Sequence, residues 1–537
     1  LNLQRQFYCN HVDNLKKKNP HNWWKAIKNI CGMESKDRSS FEHMTFQGNT
    51  IETHDLPETI NNFLVTIAES IPAIDNCCFI DFRKQLAECP ERFIVPEYAV
   101  YHALTRLKVS RSAGPDLIDT KLLIHLVPSQ WKISRITPIP KCIPAKCLEN
   151  DLRPISITPA LAKIAESFIC RFFDDHFCDI IDKNQFGSTK NRSTTHALIK
   201  FSHELFSASD NSGNIIRALF VDFAKAFDLV DHNVLMQKMI DYDFPPQVTS
   251  WSLSFLQDRE QFVKINNCLS SVTRINSGCP QGTLSGPNNF KLLINDLRFR
   301  LSYIKYVDDT SVVSVSNDPN DNSLQLSLNE LADWCTANTM RINTVKTKEM
   351  VVCFGKQFDA SRLPILAING SMIERVSCFK LLGVYFNCDL TWQNHVDYIL
   401  KKVSKRIYFI YLLMRAGINS SDVVSVYCSL IRTILEYASP VWHAGLTKTQ
   451  SDRIEGVQKR CLKIVFPDLS YEEALFVSGI EKLSDRRDKH ARDLFNDIKK
   501  PGNVLNYLLT PYEIHGDKKT NLDILIHMLC VVQIHYG

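Results

Sequence analysis

Two short acidic stretches hold the residues of this sequence best suited to chemistry. The first runs from Phe220 to Asp228 and places Asp222 at the end of an apolar run, where a lone carboxylate is costly unless it binds something. The second ends in the adjacent pair Asp308 and Asp309, between two β-prone runs. Neighbouring carboxylates repel each other, and a divalent cation relieves that repulsion. Three carboxylates converging from two strands would suit two Mg²⁺ ions, which in phosphoryl transfer activate an attacking hydroxyl and stabilise the leaving group.

The runs around these residues predict the elements that position them. Ala218–Phe223 is a short apolar run typical of a buried strand, and a helix is predicted from Asn233. Ile304–Val315 predicts two short strands around a tight turn, and that turn would carry the aspartate pair. Apolar residues at helical spacing predict an amphipathic helix over Ser323–Asn338.

Strands and helices are also predicted on either side of this region. Further strands are expected at Ile133–Ile139, which Pro140 would end, at Glu349–Phe354 and at Phe379–Phe386. After Leu390 the pattern is mainly helical, with apolar stripes formed by Val396, Ile399, Val403, Ile407 and Ile410 and by Ile454, Val457, Cys461 and Ile464. Basic residues off these stripes are Lys401, Lys402, Lys405, Arg406, Lys459, Arg460 and Lys463. They form either a solvated basic face or a grip on a phosphate backbone.

Composition sets broad limits on the protein. A chain of 537 residues is too long for one hydrophobic core, and 45% hydrophobic with 23% charged residues is typical of globular domains. The net charge of +5 permits a nucleic-acid partner without requiring one. The 18 cysteines contain no CxxC pair, which disfavours structural zinc and favours reduced thiols in the nucleus, the cytoplasm or both, not secretion. No apolar run is long enough to span a bilayer, so no membrane partner is expected.

Further motifs surround the two acidic stretches in a definite order. They are Ser112–Asp116, Trp131–Lys141 with its ITPIPK run, Leu152–Ser156 (LRPIS), Asn184–Gly187 (NQFG) with Arg192–Thr195 (RSTT), Val230–His232, Gly278–Pro287 (GCPQGTLSGP), Asn343 with Lys346 and Thr347, Leu382–Val384 (LGV), Leu390–Trp392 with His395, and Tyr437–Trp442 (YASPVW). In this order the series resembles the reverse transcriptases of non-LTR retrotransposons of the jockey and CR1 kind. The resemblance is close from about Ser110 to His395 and looser beyond.

The resemblance implies roles for single residues. Asp222, Asp308 and Asp309 would be the catalytic, metal-binding carboxylates. Lys141 and Arg153 would meet the triphosphate of the incoming nucleotide, as cations do in phosphoryl-transfer sites, with a surface role open for either.

Four further residues receive roles from the same resemblance. Gln281 would help to hold the nucleotide and the template, and Gly282 would let the backbone approach closely. Phe227 stands where a bulky gate residue would exclude a ribose 2′-hydroxyl; an ordinary core phenylalanine is the alternative. Lys346 would donate a proton to pyrophosphate.

The implied architecture is α+β, a right-hand polymerase with fingers, an antiparallel-sheet palm bearing helices on one face, and a helical thumb. The predicted division is an N-terminal helical linker region at 1–94, fingers at 95–200, palm at 201–387, thumb at 388–468 and a C-terminal region at 469–537. The reverse transcriptase domain itself would span about 121–387. The implied partners are an RNA template, a DNA primer, the RNA–DNA hybrid and dNTPs, with Mg²⁺ as cofactor and Mn²⁺ able to substitute.

The sequence departs from the family pattern in three places. The segment between Asp116 and Trp131 is short, which puts the fingers and template binding in question. Val307 stands where alanine is commoner, and Ser188 stands where an aromatic residue is usual. The family's endonuclease domain is missing and the chain begins with Leu1, so a fragment is expected. The alternatives are an inactive relic that still binds nucleic acid, or a polymerase of another lineage such as a maturase or a telomerase.

Overall fold

The computed structural model describes residues 19–33, 41, 44–75, 95, 98–99, 102–103, 127–210, 213–352 and 360–509. The motif Ser112–Asp116, most of the short segment before Trp131, Phe354 and the chain after 509 lie outside the described residues.

The strands of the described chain are β1 (Thr45–Phe46), β2 (Asn49–Thr50), β3 (Ile133–Pro140), β4 (Leu152–Ile157), β5 (Ile215–Val221), β6 (Arg259–Ile265), β7 (Cys268–Leu269), β8 (Thr273–Ile275), β9 (Ser302–Tyr306), β10 (Asp309–Ser316), β11 (Lys348–Val352), β12 (Ala367–Ile368), β13 (Ser371–Met372), β14 (Glu374–Arg375), β15 (Cys378–Leu381) and β16 (Val384–Asn387). The α-helices are α1 (Pro20–Ile30), α2 (Leu56–Thr66), α3 (Leu148–Asp151), α4 (Ala160–Phe177), α5 (Thr194–Ser209), α6 (His232–Asp241), α7 (Pro246–Leu256), α8 (Ser285–Leu293), α9 (Ser323–Ala337), α10 (Gln393–Arg415), α11 (Ser420–Tyr427), α12 (Thr433–Leu435), α13 (Ser439–Trp442), α14 (Lys448–Val465), α15 (Tyr471–Ser478) and α16 (Leu483–Ile498). The fold is α+β, as predicted.

The central sheet has the order β14-β11-β5-β10-β9. β5 pairs antiparallel with β10 and β11, β9 and β10 form the predicted hairpin, and only the outer pair β11–β14 is parallel. Every residue of β5 is buried, because both faces of the sheet are covered. One face packs against α6, α8 and α9, and the other against α5, the β15–β16 hairpin and α10. The prediction of helices on one face alone is therefore wrong.

A second sheet is formed by β4, β3, β6 and β7, in that order reading from β4. β3 pairs antiparallel with β4 and parallel with β6, and β8 adds to the edge of β6. Helix α2 packs on β6 through a small core that includes Leu56, Ile60, Ile136 and Val263. This sheet carries Lys141 and Arg153, two of the residues expected to meet a triphosphate.

The C-terminal part is helical, as predicted, and both predicted stripes face the core. On α10 all five stripe residues are buried, and on α14 Ile454 and Cys461 are fully buried. Helices α15 and α16 continue this packing beyond 468, and Arg487 is buried where it donates to His443 Nδ1 (3.1 Å) and Ser451 Oγ (3.0 Å). Among the described residues, no helix is both long and apolar enough to cross a lipid bilayer.

Candidate active site

The register of the central sheet brings the two acidic stretches together. Thr310 pairs with Val221, so Asp309 and Asp222 lie at the same end of neighbouring strands. Asp308 lies in the turn between β9 and β10. The chain after Asp222 is held by the segment before β11: Asn343 N donates to Asp222 O (2.8 Å), and Asp222 N donates to Thr347 Oγ1 (3.3 Å).

Two of the three carboxylates, Asp308 and Asp309, stand in an environment that opposes their ionisation. Burial raises the pKa of Asp308, and the neighbouring charge of Asp222 raises it further. Removal of water by the surrounding protein raises the pKa of Asp309 to about 6, together with repulsion by Asp308 and Asp222. Its side chain is still partly reached by solvent. Asp222 Oδ2 is buried without a hydrogen-bond partner. Such a group gains strongly from any cation brought to it.

The turn that carries Asp308 is strained and has its own support. Val307 adopts a left-handed conformation with φ of 59°, which is rare for a β-branched residue. Its amide donates to the side-chain oxygen of buried Gln185 (3.1 Å), and the amide of Gly187 donates to the same oxygen (2.9 Å). A Cβ on Gly187 would stand 2.5 Å from Val307 N. The NQFG motif therefore serves to hold the aspartate turn.

Cations gather beside the carboxylates. Lys346 Nζ lies 3.6 Å from Asp222 Oδ2. Burial lowers the pKa of Lys141, and the positive charges of Lys225, Lys346 and Arg153 lower it further. Burial lowers the pKa of Lys225 as well, and its Nζ donates to Glu149 O (2.8 Å). Lys141 and Lys225 thus lie in a cluster of like charge, which an anion would stabilise.

Gln281 and Gly282 lie where the second sheet meets the central one. Gln281 O accepts from Ser156 N (2.6 Å), and a Cβ on Gly282 would come within 2.7 Å of Ser156 O. With φ of 113°, only glycine fits there easily. Gln281 Nε2 donates to Asp228 Oδ1 (3.2 Å), and burial raises the pKa of that carboxyl. The loop is thereby fixed to both sheets.

Phe227 is half-buried and stacks on Phe290 of α8, with ring centroids 4.9 Å apart. Its carbonyl accepts from Cys279 N (2.7 Å), which ties it to the same loop as Gln281. The ring is partly in the core and partly at the cleft, so the geometry accommodates both the gate and the core interpretation.

Sequence reasoning assigned no role to three residues that shape this site. Lys225 and Asp228 lie within the first acidic stretch, and Gln185 lies within the NQFG motif. Lys225 could have been suspected as a cation three residues from Asp222, since a phosphate site needs positive charge. Nothing local indicated that Asp228 pairs with Gln281, 53 residues away.

The residues present suit a hard divalent cation, because carboxylate oxygens are its preferred protein ligands and Asp222 Oδ2 has no other hydrogen-bond partner. Within the part of the chain that the structure describes, no three His, Cys, Asp or Glu side chains form a group that could hold a metal ion. The types of donor suit a metal ion, but in this structure the carboxylates do not form a group that could hold one, and Lys346 is the positive charge beside Asp222.

Residues 139–386 match the family described as reverse transcriptase (RNA-dependent DNA polymerase). The chain is 26% identical to the probable RNA-directed DNA polymerase from transposon BS of Drosophila melanogaster, over 73% of this chain and 42% of that protein. It is 24% identical to the RNA-directed DNA polymerase from mobile element jockey of the same species, over 79% of this chain and 50% of that protein. The chain spans half or less of the length of these relatives.

Among solved structures, telomerase from Candida tropicalis with a fragment of telomeric RNA matches 76% of this chain and 65% of its own, at 12% identity and a TM-score of 0.38. That similarity is too low to support an argument. The family match and the relatives confirm the resemblance drawn from the motifs: this chain contains a reverse transcriptase domain, and its relatives are the polymerases of non-LTR retrotransposons of the jockey kind.

Proposed function

We propose that the protein is an RNA-directed DNA polymerase that adds dNTPs to a DNA primer on an RNA template. The observation that carries the proposal is the placement of Asp222, Asp308 and Asp309 at one end of the central sheet, where burial and neighbouring carboxylates raise the pKa of Asp308 and Asp309. Reverse transcriptases use divalent metal ions, and the proposed ions here are Mg²⁺, for which Mn²⁺ can substitute.

Asp222, Asp308 and Asp309 would hold these ions. When bound, the ions supply charge that favours the attacking 3′-hydroxyl and the departing pyrophosphate. The protein's own contribution is the fixed placement of the carboxylates by Gln185, Gly187 and the register of β5 and β10.

The basic residues of the cleft would bind the triphosphate. Lys225 and Arg153 lie near enough to Lys141 to repel its charge, and the negative charge of a nucleotide would relieve that repulsion. Lys346, 64% exposed, would leave Asp222 when the metal arrives and act as the proton donor to pyrophosphate.

Gln281 would contact the nucleotide and template from its position beside Asp228, and Gly282 would allow the close approach of the backbone.

Phe227 would act as the sugar gate. Its replacement by alanine should allow ribonucleotides to be incorporated, because the ring would no longer meet a 2′-hydroxyl. Incorporation of each nucleotide class by Phe227→Ala, measured beside the parent protein, checks this. Unchanged rejection of ribonucleotides would leave Phe227 a core residue.

Helices α10 and α14 would hold the RNA–DNA hybrid. Lys401, Lys402 and Lys405 of α10, and Lys459, Arg460 and Lys463 of α14, are exposed as the sequence predicted. Tyr437 OH donates to Leu382 O (2.9 Å), which fixes this helical part to the β15–β16 hairpin. Exposed positive charge beside a polymerase cleft suits a duplex that is followed by shape and charge.

The test is primer extension on a poly(rA) template with an oligo(dT) primer, with Mg²⁺ or Mn²⁺. We expect extension by the parent protein and none by Asp308→Asn, while the variant still binds the template–primer. Equal extension by both would remove the assignment of Asp308. Binding without extension by the parent protein would instead support the inactive relic.

A further inference from the structure

A second positively charged site lies on the flank of the central sheet, apart from the cleft. It is an open cavity of about 980 Å³, and none of the proposed metal-binding or nucleotide-binding residues lines it. Five basic side chains and one carboxylate line it: Lys183, Lys190, Arg192, Lys200, Arg298 and Asp182. We call this cavity the basic basin.

The single carboxylate of the basic basin is already saturated. Asp182 Oδ2 pairs with the buried ammonium of Lys305 (2.7 Å) and accepts from Tyr303 OH (3.1 Å), and its Oδ1 pairs with Arg298 Nη1 (2.9 Å). Asp182 is 1% exposed. Its charge is therefore used within the protein, and the remaining cations of the basin are in excess.

Two of those cations donate their hydrogen bonds to neutral acceptors, while the carboxylates of Glu204 and Asp182 act on Lys200 from nearby. Lys200 is buried, and its Nζ donates to the amide oxygen of Asn184. Arg192 Nη1 donates to three backbone carbonyls, those of Asp182 (3.0 Å), Lys183 (3.0 Å) and Gln185 (2.5 Å). Desolvated cations with neutral partners are costly, and a bound anion offsets that cost.

An aromatic ring stands at the same cavity. Tyr507 is 63% exposed, and the Lys200 ammonium lies 6.0 Å from the centre of its ring. Exposed Lys183 and Lys190 lie on the same wall. Positive charges that follow a backbone, with an aromatic face for a base, are the combination that binds single-stranded nucleic acid.

We propose that the basic basin binds the phosphodiester backbone of a single-stranded nucleic acid and stacks one base on Tyr507. The site goes beyond the proposed polymerase activity, since it requires neither dNTPs nor the aspartates. The loop that forms it also reaches the aspartate turn: Asn184 O accepts from Lys305 N (2.8 Å), and Gln185 Oε1 accepts from Val307 N (3.1 Å). A single-stranded nucleic acid bound there would stabilise the loop that supports Asp308.

The test is fluorescence anisotropy of labelled oligo(U) and oligo(dT) over a range of salt, in EDTA and without dNTPs. These conditions separate the basin from polymerisation. The double variant Lys183→Ala/Lys190→Ala removes two exposed charges, and Lys28→Ala/Lys489→Ala is the matched control because both of its lysines are exposed on α1 and α16, away from the basin.

We expect the basin variant to reduce the salt dependence of log affinity by about 1.4, since each phosphate contact on a single strand contributes about 0.7. Tyr507→Ala should weaken binding roughly tenfold through the lost stacking contact. Loss on either oligonucleotide supports the site and shows which sugar it accepts. Unchanged binding of both, or an equal loss in the control variant, would overturn it.

Discussion

Two acidic regions of the central sheet differ in whether their carboxylates are paired with positive charges. Glu349 on β11 is fully buried, and its two oxygens receive Arg217 Nε (2.6 Å) and Arg375 Nε (2.9 Å). At the end of β5, Asp222 has Lys346 at 3.6 Å, while Asp308 and Asp309 face each other's charge. The negative charge of the first region is neutralised within the protein, and that of the second region is not.

This difference separates structure from function. A buried carboxylate with two guanidinium partners holds strands in register, and a ligand would only disturb it. Carboxylates kept together against their own repulsion make sense where a cation completes them. The comparison predicts opposite consequences for the same chemical change in the two regions.

The largest effect is expected for Asp309→Asn. Extension should fall by at least about a thousandfold, because the proposed metal ligand is lost and each 1.4 kcal/mol of barrier is a factor of ten. Stability should hold or increase, because the amide removes a charge that its surroundings oppose. Primer extension and denaturant unfolding of the same preparation measure both. If the variant unfolds more readily than the parent, the surroundings of Asp309 do not oppose its charge.

Glu349→Gln should do the reverse. Leaving Arg217 and Arg375 against a neutral amide should destabilise the fold by about 3–5 kcal/mol. Activity per folded molecule should be retained. The control is Glu374→Gln, whose side chain is 67% exposed, and we expect a change within about 0.5 kcal/mol there. The midpoints of urea unfolding test the pair, and similar shifts in both variants would mean that Glu349 is not a structural carboxylate.

Gly187→Ala tests the support behind the aspartate turn. The new methyl group would meet Val307 N at 2.5 Å, which is backbone and cannot give way without moving the turn. Extension should fall roughly ten- to a hundredfold, since a small misplacement of catalytic groups has effects of that size. Gly456→Ala on α14 is the control, because its Cβ would meet nothing within 4 Å. Normal extension by Gly187→Ala would show that the turn does not depend on this packing.

Local sequence was sufficient where periodicity or turn chemistry decides the structure. The β9–β10 hairpin, α9 and the stripes of α10 and α14 lie where they were predicted. These elements depend on side chains within a few residues of one another.

Pairing between distant segments was not predictable from the pattern. The covering of the second face of the sheet by α5 and α10 depends on where a helix 180 residues downstream of β5 docks, and no local signal states this. The role of Gln185 beneath Val307 and the contact of Asp228 with Gln281 have the same origin. The family resemblance located the motifs, and only the fold showed which motif supports which.

The smallest expected effect is a dependence of stability on pH that arises from buried histidine. His232 is fully buried, its Nε2 bonds to Gly278 O (2.8 Å) at the start of the loop that carries Gln281, and burial lowers its pKa to about 4 from 6.5. The unfolded chain therefore takes up a proton that the folded one refuses as the pH falls from 6.5 to 4. Its contribution to stability is present above that window and is lost through it.

Burial likewise lowers the pKa of His395 to about 4, so two groups should act together in the parent protein. His232→Gln, which keeps a donor for Gly278 O, should reduce the pH dependence of the unfolding free energy in this window by about one proton. The same change at exposed His21 is the control. Unfolding titrations at several pH values test this. If the slope of unfolding free energy against pH is unchanged in His232→Gln, folding does not lower the pKa of His232.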